Sequence, residues 1–351
     1  MESEKTVIGN NSFDILRIVA ALSVLVLHFN GNMSVNIPSI LSPYTYFNGV
    51  TIFFVISGFL IPYSFERSEN TKRFLKKRIM RIYPALWISV IISTMFIFTL
   101  YEVPSGKNAI VYFITQFTFL RFYTMDWLRG YGVGCPNGAL WTIFVEIQYY
   151  LFVCIFYPKI KNKKNIYWII TFVISCSLNI IPYMFRKYIP DNLGKLYGQT
   201  IFPYLWIFVM VMFIYNNRDK IIPAIVKYYW IIFASYFLCL ILNINTDIKI
   251  FHFSGKTTLL FSNTISIIEF IYIILVIATA FKIKIKRWKK DFSYPIYLFH
   301  MIFINVAVQL KIENIIFAFI FVVVSSLLLS LLYVALLEPY ILKFSKKSMD
   351  C

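Results

Sequence analysis

Acidic residues are scarce in this chain. It has 16 Asp and Glu against 34 Lys and Arg in 351 residues, and charged side chains make up only 14%. With 59% hydrophobic residues and a mean hydropathy of +0.71, soluble folds are excluded and the composition is that of a polytopic membrane protein. The net charge of +18 raises a nucleic-acid partner, but the basic residues sit in short loops between apolar runs, where orientation in the membrane accounts for them. Cysteine offers no framework either. Cys135, Cys154, Cys176, Cys239 and Cys351 are odd in number and have no C-x-x-C spacing, so they predict structural thiols rather than disulfides or a metal site. H-E-x-x-H, Gly-x-Ser-x-Gly, a Walker loop and a G-x-G-x-x-G turn are all missing, which sets aside zincins and P-loop ATPases.

What is present is a series of apolar runs near 13–30, 47–65, 82–101, 139–157, 165–182, 200–215, 228–243, 259–281, 293–310 and 314–340. Their lengths predict an all-α bundle of about ten transmembrane helices. If the N-terminus is cytoplasmic, inner loops carry 22 Lys and Arg against 9 in outer loops. That asymmetry predicts both termini in the cytoplasm. The opening MESEKTVIGNNS makes a poor signal peptide, so the first helix is expected to be retained. One membrane domain over 1–351 is expected, with short cytoplasmic tails at 1–12 and 341–351 and no repeat or appended soluble domain. The 102–138 stretch is the exception. AIVYFITQFTFL is too short to cross and reads as an interfacial or re-entrant helix, and RGYGVGCPNG after it reads as a flexible outer loop with a Pro136-Asn137-Gly138 turn, or as glycines that admit a ligand to the backbone.

Against this background the polar residues inside spans stand out. In DILRIVAALSVLVLHF, Arg17 and His28 are eleven steps apart, roughly three turns, so they fall on one stripe about 16 Å apart. An arginine in a span costs about 2.5–3.5 kcal/mol on insertion scales and usually faces a bundle interior or wet cavity, so a polar cavity is expected. The alternative places each residue at its own interface. Glu146, in ALWTIFVEIQYYLFV, needs a partner or a proton, and its depth suits a role in holding His28; a hydrogen bond to a neighbouring helix is the competing account. In KRFLKKRIMRIYP, Arg78 and Arg81 share a face at the cytoplasmic start of the third helix, with Lys77 beside them and Tyr83 following. Guanidinium groups there suit a nucleotide-bearing donor such as coenzyme A, or else ordinary topology and anionic lipid. Ser57-Gly58 reads as a helix-packing site. His300 in YPIYLFH either lines the same cavity as His28 or is bonded within the bundle. His252, in an outer loop, carries no signal.

Taken in order, Arg17 and His28 with ten residues between, FFVISGFLI at 53–61, KKRIMRIYP at 76–84, NGALWTIFVEIQYYL at 137–151 and FSYPIYLFH at 292–300 resemble the acyltransferase-3 family of integral membrane acyltransferases. The resemblance runs over most of the chain. It implies about ten helices in the bacterial plasma membrane and O-acyl transfer, commonly of acetyl from cytoplasmic acetyl-CoA, to hydroxyls of a surface or lipid-linked glycan. Acyl-CoA would be a donor substrate, with no bound cofactor and no metal. By the same resemblance His28 stands at the essential histidine, Arg17 at its paired arginine, Arg78 and Arg81 at a basic acyl-CoA-facing pair, and Trp141 and Glu146 in a tryptophan-and-glutamate helix. Tyr83, Trp141 and His300 are counted with the substrate-binding residues. Thr51, Ile15 and Ile147 depart from the pattern, where an acid, a glycine and a second acid are common. The family's esterase-like domain is not seen, so acceptor delivery is expected to rest on this bundle or a partner. His28 is expected to act as general base, worth about 10²–10⁴ in rate, or to carry the acyl group itself. The competing class is a transporter of a sugar, lipid-linked intermediate or acyl group, since intramembrane ionisable residues mark transport paths too.

Overall fold

The structure, a computed structural model, describes residues 11–35, 47–118, 124–245, 265–285, 288, 290–341 and 343. Most of both expected tails, His252 and the first residues of the run expected at 259–281 lie outside these. The described residues form α-helices joined by short 3₁₀ turns, with one π-helical turn at Tyr333–Leu337 and no strand. In chain order they are α1 (Phe13–Asn32), α2 (Gly49–Glu66), α3 (Thr71–Leu100), α4 (Gly106–Phe117), α5 (Trp141–Ile160), α6 (Asn165–Met184) and α7 (Asp191–Tyr197). Then come α8 (Leu205–Asn216), α9 (Arg218–Lys227), α10 (Tyr229–Asn245), α11 (Ile267–Lys282), α12 (Ser293–Gln309) and α13 (Ile315–Leu332).

Among the described residues six helices are long and apolar enough to cross a membrane, and eight if the bent pairs α7–α8 and α9–α10 each count as one. The chain is therefore a multi-pass membrane protein. Every apolar run has its helix, but α11 and α12, at 16 and 17 residues, fall short of the roughly 20 residues of a full crossing. Helix α4 has only 12 residues, about 18 Å, and does not cross. It buries Tyr112, Thr115 and Gln116 and leaves Ile110, Phe113 and Ile114 exposed, an amphipathic segment.

The chain divides into two compact units, residues 1–17, 50–71 and 145–288, and residues 18–49, 72–144 and 289–351. In the first, Phe13, Phe59 and Phe281 meet with ring centroids 5.3–5.6 Å apart. Gly58 lets α2 close on α8, where an added Cβ would sit 2.9 Å from Cβ of Val211. The packing role expected of Ser57-Gly58 is thus what the glycine performs. Glu66, at the end of α2, accepts from the hydroxyls of Tyr157 (2.9 Å) and Tyr215 (2.6 Å), which satisfies a carboxylate at the helix end. The break between α7 and α8, a 57° bend, is bridged by Gln148 of α5. Gln148 accepts from the Ile201 N–H (3.0 Å) and donates to the Gln199 carbonyl (3.1 Å), pairing backbone groups that the bend frees.

In the second unit α12 is the platform, with fourteen of its seventeen residues buried. It packs along α13, whose first turn is capped by Asn314, the side chain accepting from the Phe317 N–H at 3.0 Å. It also anchors the 131–139 loop. The Asn305 side chain accepts from the Val133 N–H (2.9 Å) and donates to the carbonyls of Cys135 (3.1 Å) and Pro136 (3.0 Å). Gln309 accepts from the Gly132 N–H (2.8 Å), and Asn137 donates to the Leu298 carbonyl (2.9 Å). The outer loop expected to be flexible is pinned at several backbone groups. Burial pushes the Cys135 thiol of this loop up in pKa, as suits a structural cysteine.

Candidate active site around a histidine pair

The nearest thing to a reactive centre lies in the second unit, where α1 and α12 each contribute a histidine. Nδ1 of His28 and Nε2 of His300 are 2.9 Å apart. The ring centroids are 5.2 Å apart and the planes 24° from parallel. A ring nitrogen lies about 1.2 Å from its own centroid, so these two distances are compatible only when both nitrogens lie on the line between centroids. The rings therefore meet edge to edge, in the geometry of a straight N–H···N hydrogen bond, and not face on face.

One neighbour fixes the direction of that bond. Nδ1 of His300 lies 3.3 Å from the carbonyl of Ile296, one turn earlier in α12. A carbonyl only accepts, so this nitrogen carries the proton of the neutral ring, and Nε2 of His300 is left as an acceptor. His28 must then donate from Nδ1, and its own Nε2 holds the lone pair. His300 is completely enclosed, whereas His28 is only half-buried. Among the described residues no hydrogen bond is made to His28 Nε2. The pair thus presents one basic nitrogen, and it is on His28.

Around His300 the wall is hydrogen-bonded too. The Tyr297 ring lies 5.9 Å from that of His300. Its hydroxyl donates to the Ala139 carbonyl and lies 2.5 Å from the Thr142 hydroxyl. This ties the start of α5 to the turn that carries His300.

The other expected residues fall in several places. Arg17 is buried, with 8% exposure, and pairs with Asp14 at 3.0 Å; the second Asp14 oxygen accepts from the Trp288 N–H at 3.1 Å. An arginine at a helix end is tolerated on those terms. Glu146 accepts from the Tyr150 hydroxyl at 2.5 Å, one turn along α5, while the bond that holds His28 comes from His300. Arg78 is buried over the Phe74 ring, with its guanidinium carbon 5.5 Å from the centroid. Arg81, three residues on, is exposed and pairs with Asp291 at 3.2 Å. Tyr83 stands edge-on to Trp87, 5.5 Å between centroids, and Trp141 is half-buried at the first position of α5.

Glu269 was not singled out in the sequence. It sits in the first turn of α11, where Ser266 caps the helix by accepting from the Glu269 N–H at 3.1 Å. Its carboxylate accepts from the Thr51 hydroxyl, within the first unit. The signal was available, since a carboxylate in an apolar run is as unusual as Glu146. Thr51 is where the family resemblance calls for an acid, and here an acid reaches it from another helix.

The described residues, all helices and turns, with several helices long and apolar enough to cross a membrane, define an integral membrane protein in which two helices bring a pair of histidines together. The comparisons give the particular family: residues 10–335 match the family model described as "Acyltransferase domain", and the chain belongs to that acyltransferase-3 family. Among curated proteins it is similar to Nodulation protein 10 of Rhizobium leguminosarum bv. viciae, 30% identical over 57% of this chain and 58% of that protein. It is also similar to a peptidoglycan O-acetyltransferase of Listeria monocytogenes, 26% identical over 52% of this chain and 29% of the relative. An O-acetyl transferase of Shigella phage Sf6 is 31% identical over 48% of this chain and 52% of that protein. The matched part thus spans little more than half, or less, of each relative. No solved structure matches the chain.

Proposed function

We propose that the protein is a membrane O-acyltransferase that moves an acyl group, most simply acetyl, from cytoplasmic acyl-CoA to a hydroxyl of a cell-surface or lipid-linked glycan. Family membership and relatives named as O-acetyltransferases, one of them a peptidoglycan O-acetyltransferase, support the reaction class. The observation that carries the mechanism is the Nε2 of His28, to which no described residue makes a hydrogen bond, on a ring whose other nitrogen is engaged.

In this reading His28 is the general base. Its Nε2 takes the proton of the acceptor hydroxyl as that oxygen attacks the thioester carbonyl. The C–S bond then breaks, and the coenzyme A thiolate leaves with the proton that the imidazolium returns. Arg78 and Arg81 are assigned to the donor's phosphates. For Arg81 this exchanges one anion, Asp291, for another. Arg17 is assigned to the donor as well, with Tyr83 and Trp141 as aromatic contacts to substrate. Glu146 remains in the proposed active-site set, with Tyr150 holding its carboxylate.

The decisive variant is His28→Ala at normal membrane abundance, followed by mass spectrometry of acetyl on the cell's surface glycans. Acetylation should fall by about 10²-fold or more. Unchanged acetylation overturns the assignment.

A further inference from the structure

We propose that His300 is the positioning residue of this centre, and that it acts by dictating which nitrogen of His28 carries the proton. The inference rests on the reading of His28 as general base and adds the element that makes it one. Two bonds in series carry it. Ile296, through an atom that only accepts, claims the Nδ1 proton of His300; His300, through the Nε2 so vacated, claims the Nδ1 proton of His28. The outcome at the far end is a lone pair on His28 Nε2.

In water a neutral imidazole carries its proton mainly on Nε2, so this arrangement holds both rings in the less common tautomer. With Nε2 protonated, His28 has no lone pair there for a substrate hydroxyl and cannot begin the transfer. The same logic runs through catalytic triads, where a buried acceptor behind a histidine holds its tautomer, and the loss of that acceptor is counted in orders of magnitude. Here the acceptor is a second imidazole, neutral and fully enclosed. When His28 takes a proton on Nε2, its Nδ1–H still points at a lone pair, so the bond survives the step.

His300 is also held in register. Tyr297, one turn back, is tied through the Ala139 carbonyl and the Thr142 hydroxyl, and Asn305 ties the following turns of α12 to the 133–136 backbone. The turn that carries the acceptor nitrogen is bonded on both sides.

The chain contains only three histidines, so full-length protein labelled with ¹⁵N-histidine in lipid bilayers has three imidazoles to assign by solid-state NMR. His28 and His300 should both appear as neutral Nδ1–H tautomers. Protonation of His28 on Nε2 in the neutral state overturns the inference, whatever the activity. The second measurement ranks two variants at matched membrane abundance, by acetyl on surface glycans. His300→Gln puts an acceptor oxygen where Nε2 was and should keep acetylation within about tenfold of the parent; His300→Phe keeps the ring but no acceptor and should lose about 10²-fold. A purely packing role favours the ring, so a Phe variant as active as the Gln variant, or more so, also overturns it. Failure of the general-base reading is distinguishable. A His28→Ala variant that still acetylates sinks that reading and leaves the tautomers as they are, whereas a dead His28→Ala variant with an Nε2–H tautomer on wild-type His28 sinks this inference alone.

Discussion

Single residues on the 131–139 loop show how differently three nearby glycines can be employed. Gly132 has φ +54° and Gly134 φ +80°, in the left-handed region that side chains other than glycine occupy at a cost. An added Cβ on Gly132 also runs into the Asn305 side chain that holds the loop, whereas Gly138 has open space around it. Gly132→Ala should therefore destabilise by about 1–3 kcal/mol and Gly138→Ala by little. Thermal unfolding of the two variants in detergent should show a lowered midpoint for the first alone. From sequence, the glycines were compatible with a flexible turn. What distinguishes them is Asn305 and Gln309, some 170 residues further on. His28 was legible because a histidine in an apolar run is expensive in any fold. Its pairing with His300, 272 positions away, was not. Glu146 was an acid of suitable depth, but depth along a helix does not say which way a side chain turns, and the carboxylate meets Tyr150 one turn further on.

At the scale of elements, apolar run length was a good guide to where helices form and a poor guide to where they bend. The run expected at 200–215 is preceded by α7 and a 57° break, and nothing in its hydropathy marks the bend. The clue is a glutamine. An amide side chain inside an apolar helix is worth its desolvation only when both its ends are engaged, and Gln148 engages one N–H and one carbonyl of the broken turn. Removing it leaves two backbone groups unpaired in an apolar setting, at about 1–3 kcal/mol each. Gln148→Ala should therefore speed amide exchange at residues 199–204 well beyond any change in α6. Equal protection in the two proteins would mean that the break is held by Tyr204, whose hydroxyl donates to the Gly198 carbonyl at 2.9 Å, and by Asn179, which donates to the Pro203 carbonyl at 2.7 Å.

For the whole molecule the open quantity is the number of crossings, and α11 and α12 decide it. With 16 and 17 residues they are about 24–26 Å long, against a hydrocarbon thickness near 30 Å. Helix α12 is nonetheless buried along nearly its whole length, so protein supplies its surroundings, and a short helix inside a bundle needs less apolar length than one facing lipid. If both cross, as the apolar runs predict, the chain has ten spans with both termini cytoplasmic, the topology in which 22 basic residues fall inside against 9 outside. Lys282, Lys284 and Lys290 then lie inside, and the α12–α13 turn at Lys311 lies outside. Reporter enzymes that are active on only one side of the membrane, inserted after Lys284, after Lys311 and after Cys351, should report inside, outside and inside. If the first two insertions report the same side, α12 does not cross, and the donor and acceptor would have to reach His28 from one face.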